Sequence, residues 1–375
     1  MDKIQMVDLK GQYQKIKPEV DVAIQSVIES TQFINGPAVK EFSDNLAKYL
    51  GAKHVIPCGN GTDALQIAMM ALKLKPGDEV IVPAFTYVAT AEVIGLLGLT
   101  PVMVDVNPQT FLVERKNVEK AITANTKAIV PVHLYGQSCD MEPILKLAKE
   151  QGLYVIEDNA QAIGAEYTFA DGHKAKTGTM GTIGCTSFFP SKNLGCYGDG
   201  GALCTNDDTL AERISMVANH GQKKKYYHSV IGCNSRLDTI QAAILNAKLP
   251  HLDQYGKARH DAAQYYTQNL QEVKGIEVPF EASNSTHVYH QYTLKVADGR
   301  RDALKKHLEE NGIPSMIYYP LPLQEQEAFH FITRTAESLD NAKQLSTQVL
   351  SLPMHTELTK ETQDFIISKI RQFFE

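Results

Sequence analysis

A series of short apolar segments between residues 54 and 158 constrains this chain more than any other feature. HVIPC (54–58), EVIVP (79–83), PVMVD (101–105), KAIVPVHL (127–134) and YVIED (154–158) are apolar nearly throughout, not on alternate residues. A strand of that composition is buried on both faces. Helical patterns separate the segments: TDALQIAMMALKL (62–74), TAEVIGLLG (90–98) and MEPILKLAKEQG, which Gly152 stops. Strands alternating with helices predict a mostly parallel sheet covered on both sides, a three-layer α/β sandwich.

The pattern changes near Pro250. A long helix is expected over about 251–273, then a strand-like THVYHQYTLKV (286–296) and a helix at RRDALKKHLEENG (300–312). A strand-like PSMIYYP (314–320) and a closing helix from about Thr359 follow. These elements predict a large α/β domain over residues 1–249 and a small α+β domain over 250–375, which 375 residues accommodate.

Composition excludes several classes of function. The net charge is -6 and no basic stripe exists, which argues against nucleic acid as a partner. The one basic run, Lys223 to Lys225, reads as a solvated loop. Six cysteines occur, at 58, 139, 185, 196, 204 and 233, with neither C-x-x-C pairs nor zinc spacing. They are expected as reduced thiols in a cytoplasmic protein, and no metal site is expected. The segment MDKIQMVDLKGQYQKIK has no apolar signal core, and no apolar run is long enough for a bilayer.

Ligands of open α/β sheets bind beyond the carboxyl ends of the strands, and three stretches fall there. In CGNGTDAL (58–65) a strand turns into a helix at Thr62 or Asp63. That is either a phosphate seat on free N–H groups or a plain capped turn. In VIEDNAQAIGA (155–165) Asp158 ends a strand. Its carboxylate could meet a ribose hydroxyl, a metal or a protonated ring nitrogen, or cap the next helix. Gln161 could reach the same ligand. In TSFFPSKNLGCYGDGG (186–201) Lys192 stands in an apolar, Gly-rich run after Ser187. An enclosed lysine loses solvation for its ammonium form and becomes a nucleophile suited to Schiff-base chemistry, whereas a loop lysine simply faces water. A pyridoxal phosphate (PLP) site needs such a lysine, an acid for the ring nitrogen, a phosphate cup and an aromatic over the ring. Tyr87, just after the strand 79–83, can supply the last.

The motifs SFFPSKNLGCYGDGGA, GNGTDAL, FTYVATAEV and VIEDNAQAIGA, with VDLKGQY near one end and SLPMH near the other, resemble the DegT/DnrJ/EryC1/StrS family. These are PLP-dependent nucleotide-sugar aminotransferases of the aspartate aminotransferase-like fold type I. The resemblance implies that Lys192 carries the cofactor and moves the proton. It implies that Asp158 pairs with the ring nitrogen, that Gln161 lies near the ring hydroxyl and that Tyr87 stacks on the ring. Gly61, Thr62 and Ser187 would hold the phosphate. In GCNSRLDTIQAA (232–243), Asn234 would reach the phosphate of a neighbouring subunit, so a homodimer with shared sites is expected. Arg236 would enter the same cleft and meet a carboxylate or phosphate, or else pair with Asp238.

Within the family the chain looks like enzymes that aminate UDP-linked 3-keto-N-acetylglucosaminuronate with glutamate for lipopolysaccharide O-antigen. Those carry His-Tyr-Pro where this chain has Tyr318-Tyr319-Pro320, with the histidine lining the sugar pocket. The departure leaves a 3-keto-6-deoxy sugar on dTDP or UDP as the alternative, read by Arg236, Tyr318 and Tyr319. From a different class, a non-catalytic PLP-holding regulator would need an added DNA-binding segment.

Overall fold

A computed structural model describes residues 3–375. Strands β1 (His54–Cys58), β2 (Glu79–Pro83), β3 (Thr100–Val104), β4 (Thr126–Ile129) and β5 (Tyr154–Asp158) enter an eight-stranded sheet. Its order is β1, Gly201–Thr205, Ile183–Ser187, β5, β4, β2, β3, Arg334–Thr335. The sheet is parallel except at Gly201–Thr205, which runs against both of its neighbours. All five residues of β2, of Ile183–Ser187 and of Gly201–Thr205 are buried, as strands covered on both faces require.

The helices Gly61–Ala71, Ala89–Leu96 and Met141–Gln151 cover the sheet. Gly152 closes the last of these in the left-handed region, at φ 66, where a side chain would be strained. Ile67, Met69, Ile81, Val102, Ile144 and Ile156 belong to one buried core. A second core forms around the antiparallel sheet of Ile276–Glu277, Tyr292–Val296 and Val349–Leu352. Tyr266, Leu308 and Ile370 reach it from the helices Leu252–Leu270, Arg301–Glu310 and Lys360–Phe374.

Three expected strands are shorter than the segments read for them. KAIVPVHL is interrupted after Ile129, because Pro131 has no N–H for the ladder, and pairs again only at Val132, opposite Asp158. THVYHQYTLKV is a strand only from Tyr292. Its first half leaves the small sheet: Thr286 N donates to Glu166 O and Val288 N to Gly136 O. PSMIYYP makes a single bridge, Met316 to Ser351.

The strands β1 to β5 and Ile183–Ser187 all end at one edge of the large sheet. The register places Cys58 and Ser187 on either side of Gly201, and Asp158 beside Cys185. The three sequence stretches singled out above therefore converge there.

Candidate active site

The turn after β1 is built around two close approaches. Asn60, not Thr62 or Asp63, caps the helix Gly61–Ala71: its Oδ1 accepts from Asp63 N at 2.8 Å. The N–H groups of the first turn have no partners inside a helix, so those of Gly61 and Thr62 remain free. A Cβ at Gly61 would lie 2.7 Å from Ser187 Cβ, so this position admits only glycine against the end of the neighbouring strand. The helix start and the Ser187 hydroxyl close on one another as a bare seat for an anion.

Asp158 is buried at the end of β5. Its Oδ2 accepts from Thr90 Oγ1 at 2.7 Å and its Oδ1 from Ala160 N at 3.1 Å. The next residue back, Glu157, points to the opposite face, as strand alternation demands. It accepts from His133 Nε2 at 2.9 Å and from the N–H groups of Gly178, Met180 and Gly181. His133 Nδ1 accepts from Cys139 N, so its proton sits on Nε2. Glu157 is thus a fully satisfied anchor of the strand that presents Asp158.

Lys192 is partly open to the cleft, yet protein atoms surround its amine closely. Desolvation lowers its pKa to about 8, against the opposing pull of the Asp158 charge. Gln161 Oε1 accepts from Tyr135 N at 2.7 Å, and its Nε2 donates to Tyr319 OH at 3.1 Å. Burial pushes the Tyr319 phenol up. The Tyr87 ring, more than half exposed, lies 6.1 Å from the Tyr319 ring, which also contacts Phe85 at 6.2 Å. Tyr318 packs edge-on against Tyr319 at 6.0 Å, and its carbonyl accepts from Tyr135 OH.

Ser235 binds the loop 232–238 to the turn after β1. Gly59 N donates to its Oγ at 2.9 Å, and Oγ donates to Asp63 Oδ2 at 2.6 Å. Its neighbours Asn234 and Arg236 are left without such ties. Asn234 is exposed and bridges only to the Asn219 backbone. The arginine ion pairs of the described residues are those of Arg115, Arg301 and Arg334. Arg236 therefore forms none with Asp238 or any other acid among the described residues. Thr90 and Ser235 were not singled out from the sequence, although both lie inside quoted motifs. A hydroxyl's long-range partner leaves no local pattern.

An amine with a lowered pKa, a strand-end carboxylate and an anion seat at a helix start define the class: PLP-dependent aminotransferases of fold type I. The residues present fit PLP in each part. The profile of the DegT/DnrJ/EryC1/StrS aminotransferase family matches residues 14–371, and the chain belongs to that family. It is similar to the UDP-2-acetamido-2-deoxy-3-oxo-D-glucuronate aminotransferase of Pseudomonas aeruginosa, at 48% identity over 94% of this chain and 95% of that one. It is also similar to a "pleiotropic regulatory protein" of Geobacillus stearothermophilus, at 48% identity over 99% of this chain and 98% of that one. The crystal structure of S. venezuelae DesV in complex with a ketimine intermediate superimposes with a TM-score of 0.95, at 38% identity, over 100% of this chain and 99% of that one. The protein is a PLP-dependent aminotransferase. Among the described residues no helix is long and apolar enough to cross a membrane.

Proposed function

We propose that this enzyme moves an amino group from glutamate to carbon 3 of a nucleotide-linked keto sugar, with UDP-N-acetyl-3-keto-glucuronate as the acceptor. It would act in the cytoplasm in the synthesis of cell-surface polysaccharide such as O-antigen. The observation that carries the reading is the Lys192 amine, desolvated and facing the Asp158 charge at one sheet edge. The sugar rests on the similarity to the P. aeruginosa enzyme and on Arg236, a cation without an acidic partner among the described residues that can take a carboxylate in its planar fork.

Gly61, Thr62 and Ser187 would hold the cofactor's phosphate, Asp158 its ring nitrogen, Gln161 its ring hydroxyl and Tyr87 its face. When bound, PLP supplies the conjugated ring that takes up an electron pair as a proton leaves the carbon beside nitrogen. Lys192 Nζ, with its pKa lowered to about 8, both accepts and returns that proton near neutral pH. Asp158, oriented by the Thr90 hydroxyl and the Ala160 N–H, would place its carboxylate against the ring nitrogen. Tyr319 and Gln161 brace each other and shape the wall.

The homodimer with shared sites is part of the proposal. Tyr226, Tyr227 and Ile231 are exposed apolar residues close in sequence to Asn234. Such a patch is costly in water and suits a subunit contact. Asn234 would reach the neighbouring subunit's phosphate.

The second reading is a dTDP- or UDP-linked 3-keto-6-deoxyhexose, favoured by Tyr318 at the place of the family's pocket histidine. A coupled transamination assay over UDP- and dTDP-keto sugars with glutamate tests both. The uronate is expected to give the highest kcat/KM, and preference for a 6-deoxy sugar overturns that assignment. PLP retention with no turnover on any sugar supports instead a non-catalytic regulator, as the name of the G. stearothermophilus relative would suggest.

A further inference from the structure

We propose that Lys248 is a positioning residue for this reaction: by holding the Gly195 carbonyl it fixes the turn that aims the Lys192 amine into the cleft. The proposal rests on the reading of Lys192 as the reactive lysine.

Lys248 is the last residue of the helix Thr239–Lys248 and is 1% exposed. Its amine donates to Gly195 O at 2.6 Å and lies 5.3 Å from the centre of the Tyr197 ring. No carboxylate among the described residues pairs with it. Removing an ammonium from water is costly, and an apolar side chain of similar size would fill the space without that cost. The amine's one hydrogen-bond partner is a backbone carbonyl three residues beyond Lys192. Burial lowers the Lys248 pKa to about 8, in line with that cost.

The turn it holds is tight. Lys192 N donates to Phe189 O and Cys196 N to Phe188 O, both at 2.8 Å. A Cβ at Gly195 would fall 2.3 Å from Pro190 O, so the two arms of the turn touch through a glycine. In such a closed turn the direction of the Gly195 carbonyl and the place of the Lys192 backbone are set together. Two helical turns before Lys248, on the same face, Gln241 Oε1 accepts from Tyr197 N at 2.8 Å. Its Nε2 donates to Tyr197 O at 3.4 Å. On the other side Asn193 Nδ2 donates to Val288 O at 2.8 Å. The lysine turn is therefore gripped by one helix at two points and by the 286–291 segment at a third.

The test uses PLP-loaded enzyme carrying Lys248→Met, Lys248→Arg or Gln241→Leu. Lys248→Met is expected to keep its fold and its PLP, with KM for the keto sugar unchanged. Its kcat should fall about 10- to 100-fold, the loss that a shift of about 1 Å in a catalytic group produces. The pH titration of the visible absorbance of bound PLP should shift with it, because that titration reports the surroundings of the Lys192 nitrogen. Lys248→Arg, which keeps a donor for Gly195 O, should recover most of both. Gln241→Leu should move both readouts in the same direction by less, and it decides the matter if Lys248→Met does not fold. An unmoved titration and wild-type kcat, with only a lowered Tm, overturn the proposal. Borohydride reduction of the wild type keeps the two readings apart: mass added at a lysine other than Lys192 refutes the underlying assignment.

Discussion

Thr90 Oγ1 donates a 2.7 Å hydrogen bond to Asp158 Oδ2, joining the first turn of a helix to the end of a central strand 68 residues on. Both residues are buried. The bond fixes the direction of the carboxylate, and hydrogen bonds to charged groups are worth about 1.5–3 kcal/mol. Thr90→Val, which keeps the shape, should slow the single-turnover proton transfer about 10- to 100-fold. Thr90→Ser should restore it. Asp158→Asn should retain PLP and be slower still, since an amide cannot stabilise a ring proton by charge. Near-normal rates in Thr90→Val would show that Ala160 N–H alone holds the carboxylate.

Lys192→Ala should abolish turnover without unfolding the protein, as both nucleophile and proton carrier are lost. A second consequence concerns the apoprotein. The folded-state pKa of Lys192 lies at about 8 against 10.5 in the unfolded chain. Between those values the unfolded chain binds the extra proton, so wild-type stability rises with pH through that window. Below pH 8 the buried charge costs its full amount. Lys192→Met should therefore stabilise the apoprotein at pH 7, on the order of 2 kcal/mol. Urea titrations at pH 7 and pH 10 measure it, and the gain should shrink at the higher pH.

Gly61→Ala should weaken PLP binding while leaving the chain folded. The new methyl would stand 2.7 Å from Ser187 Cβ, forcing the helix start and the strand end apart at the anion seat. A rise in the PLP dissociation constant of about tenfold or more, from the loss of an aligned hydrogen bond to a charged group, is the expected result of a fluorescence titration. Unchanged affinity would move the phosphate elsewhere.

Arg236→Gln separates the two candidate sugars. With a uronate the arginine loses a carboxylate, and kcat/KM should fall on the order of a hundredfold. With a 6-deoxy sugar the loss should be small. The glutamate half-reaction, measured separately by stopped-flow absorbance, shows whether the donor uses the same cation. Equal losses on both sugars would rule out carboxylate reading by Arg236.

Acid should destabilise the protein before its carboxylates titrate. Burial, with the Arg259 charge nearby, lowers the His355 pKa to about 4. Burial likewise takes His287 to about 3, and His290, next to Lys192 and Arg259, well below its usual value. Unfolded histidines bind protons from about pH 6.5 downward while these three stay neutral. Stability should consequently fall as pH drops from 6.5 towards 5. Thermal denaturation of the apoprotein across that range should show the slope, and His355→Gln should flatten it. A flat wild-type profile would contradict the burial assigned to these rings.

Much of the frame is legible in local pattern. Residues 54–58, 79–83 and 154–158 read as strands and fold as strands with those limits, because continuous apolar runs bounded by turns have few other ways to leave water. Gly152 likewise ends its helix where read. The motifs around Gly61, Asp158 and Lys192 carry their chemistry in residue type and order, so the class of cofactor is readable before any fold is known. What local pattern does not contain is the pairing of distant groups. Four adjacent residues in GNGTD can cap a helix. Asn60 does so here, while Asp63 accepts from Ser235, 172 residues away. The strands Ile183–Ser187 and Gly201–Thr205 flank the lysine motif and are buried because β1 and β5 close their edges while the helices Gly61–Ala71 and Asp208–Ala218 pack on them. The segment 286–291 reads as strand but spends its hydrogen bonds on Glu166 and Gly136, and so braces Asn193. The partners of Thr90 and Lys248 leave no trace in spacing, since a hydrogen bond depends on a few tenths of an ångström that only the packed chain provides.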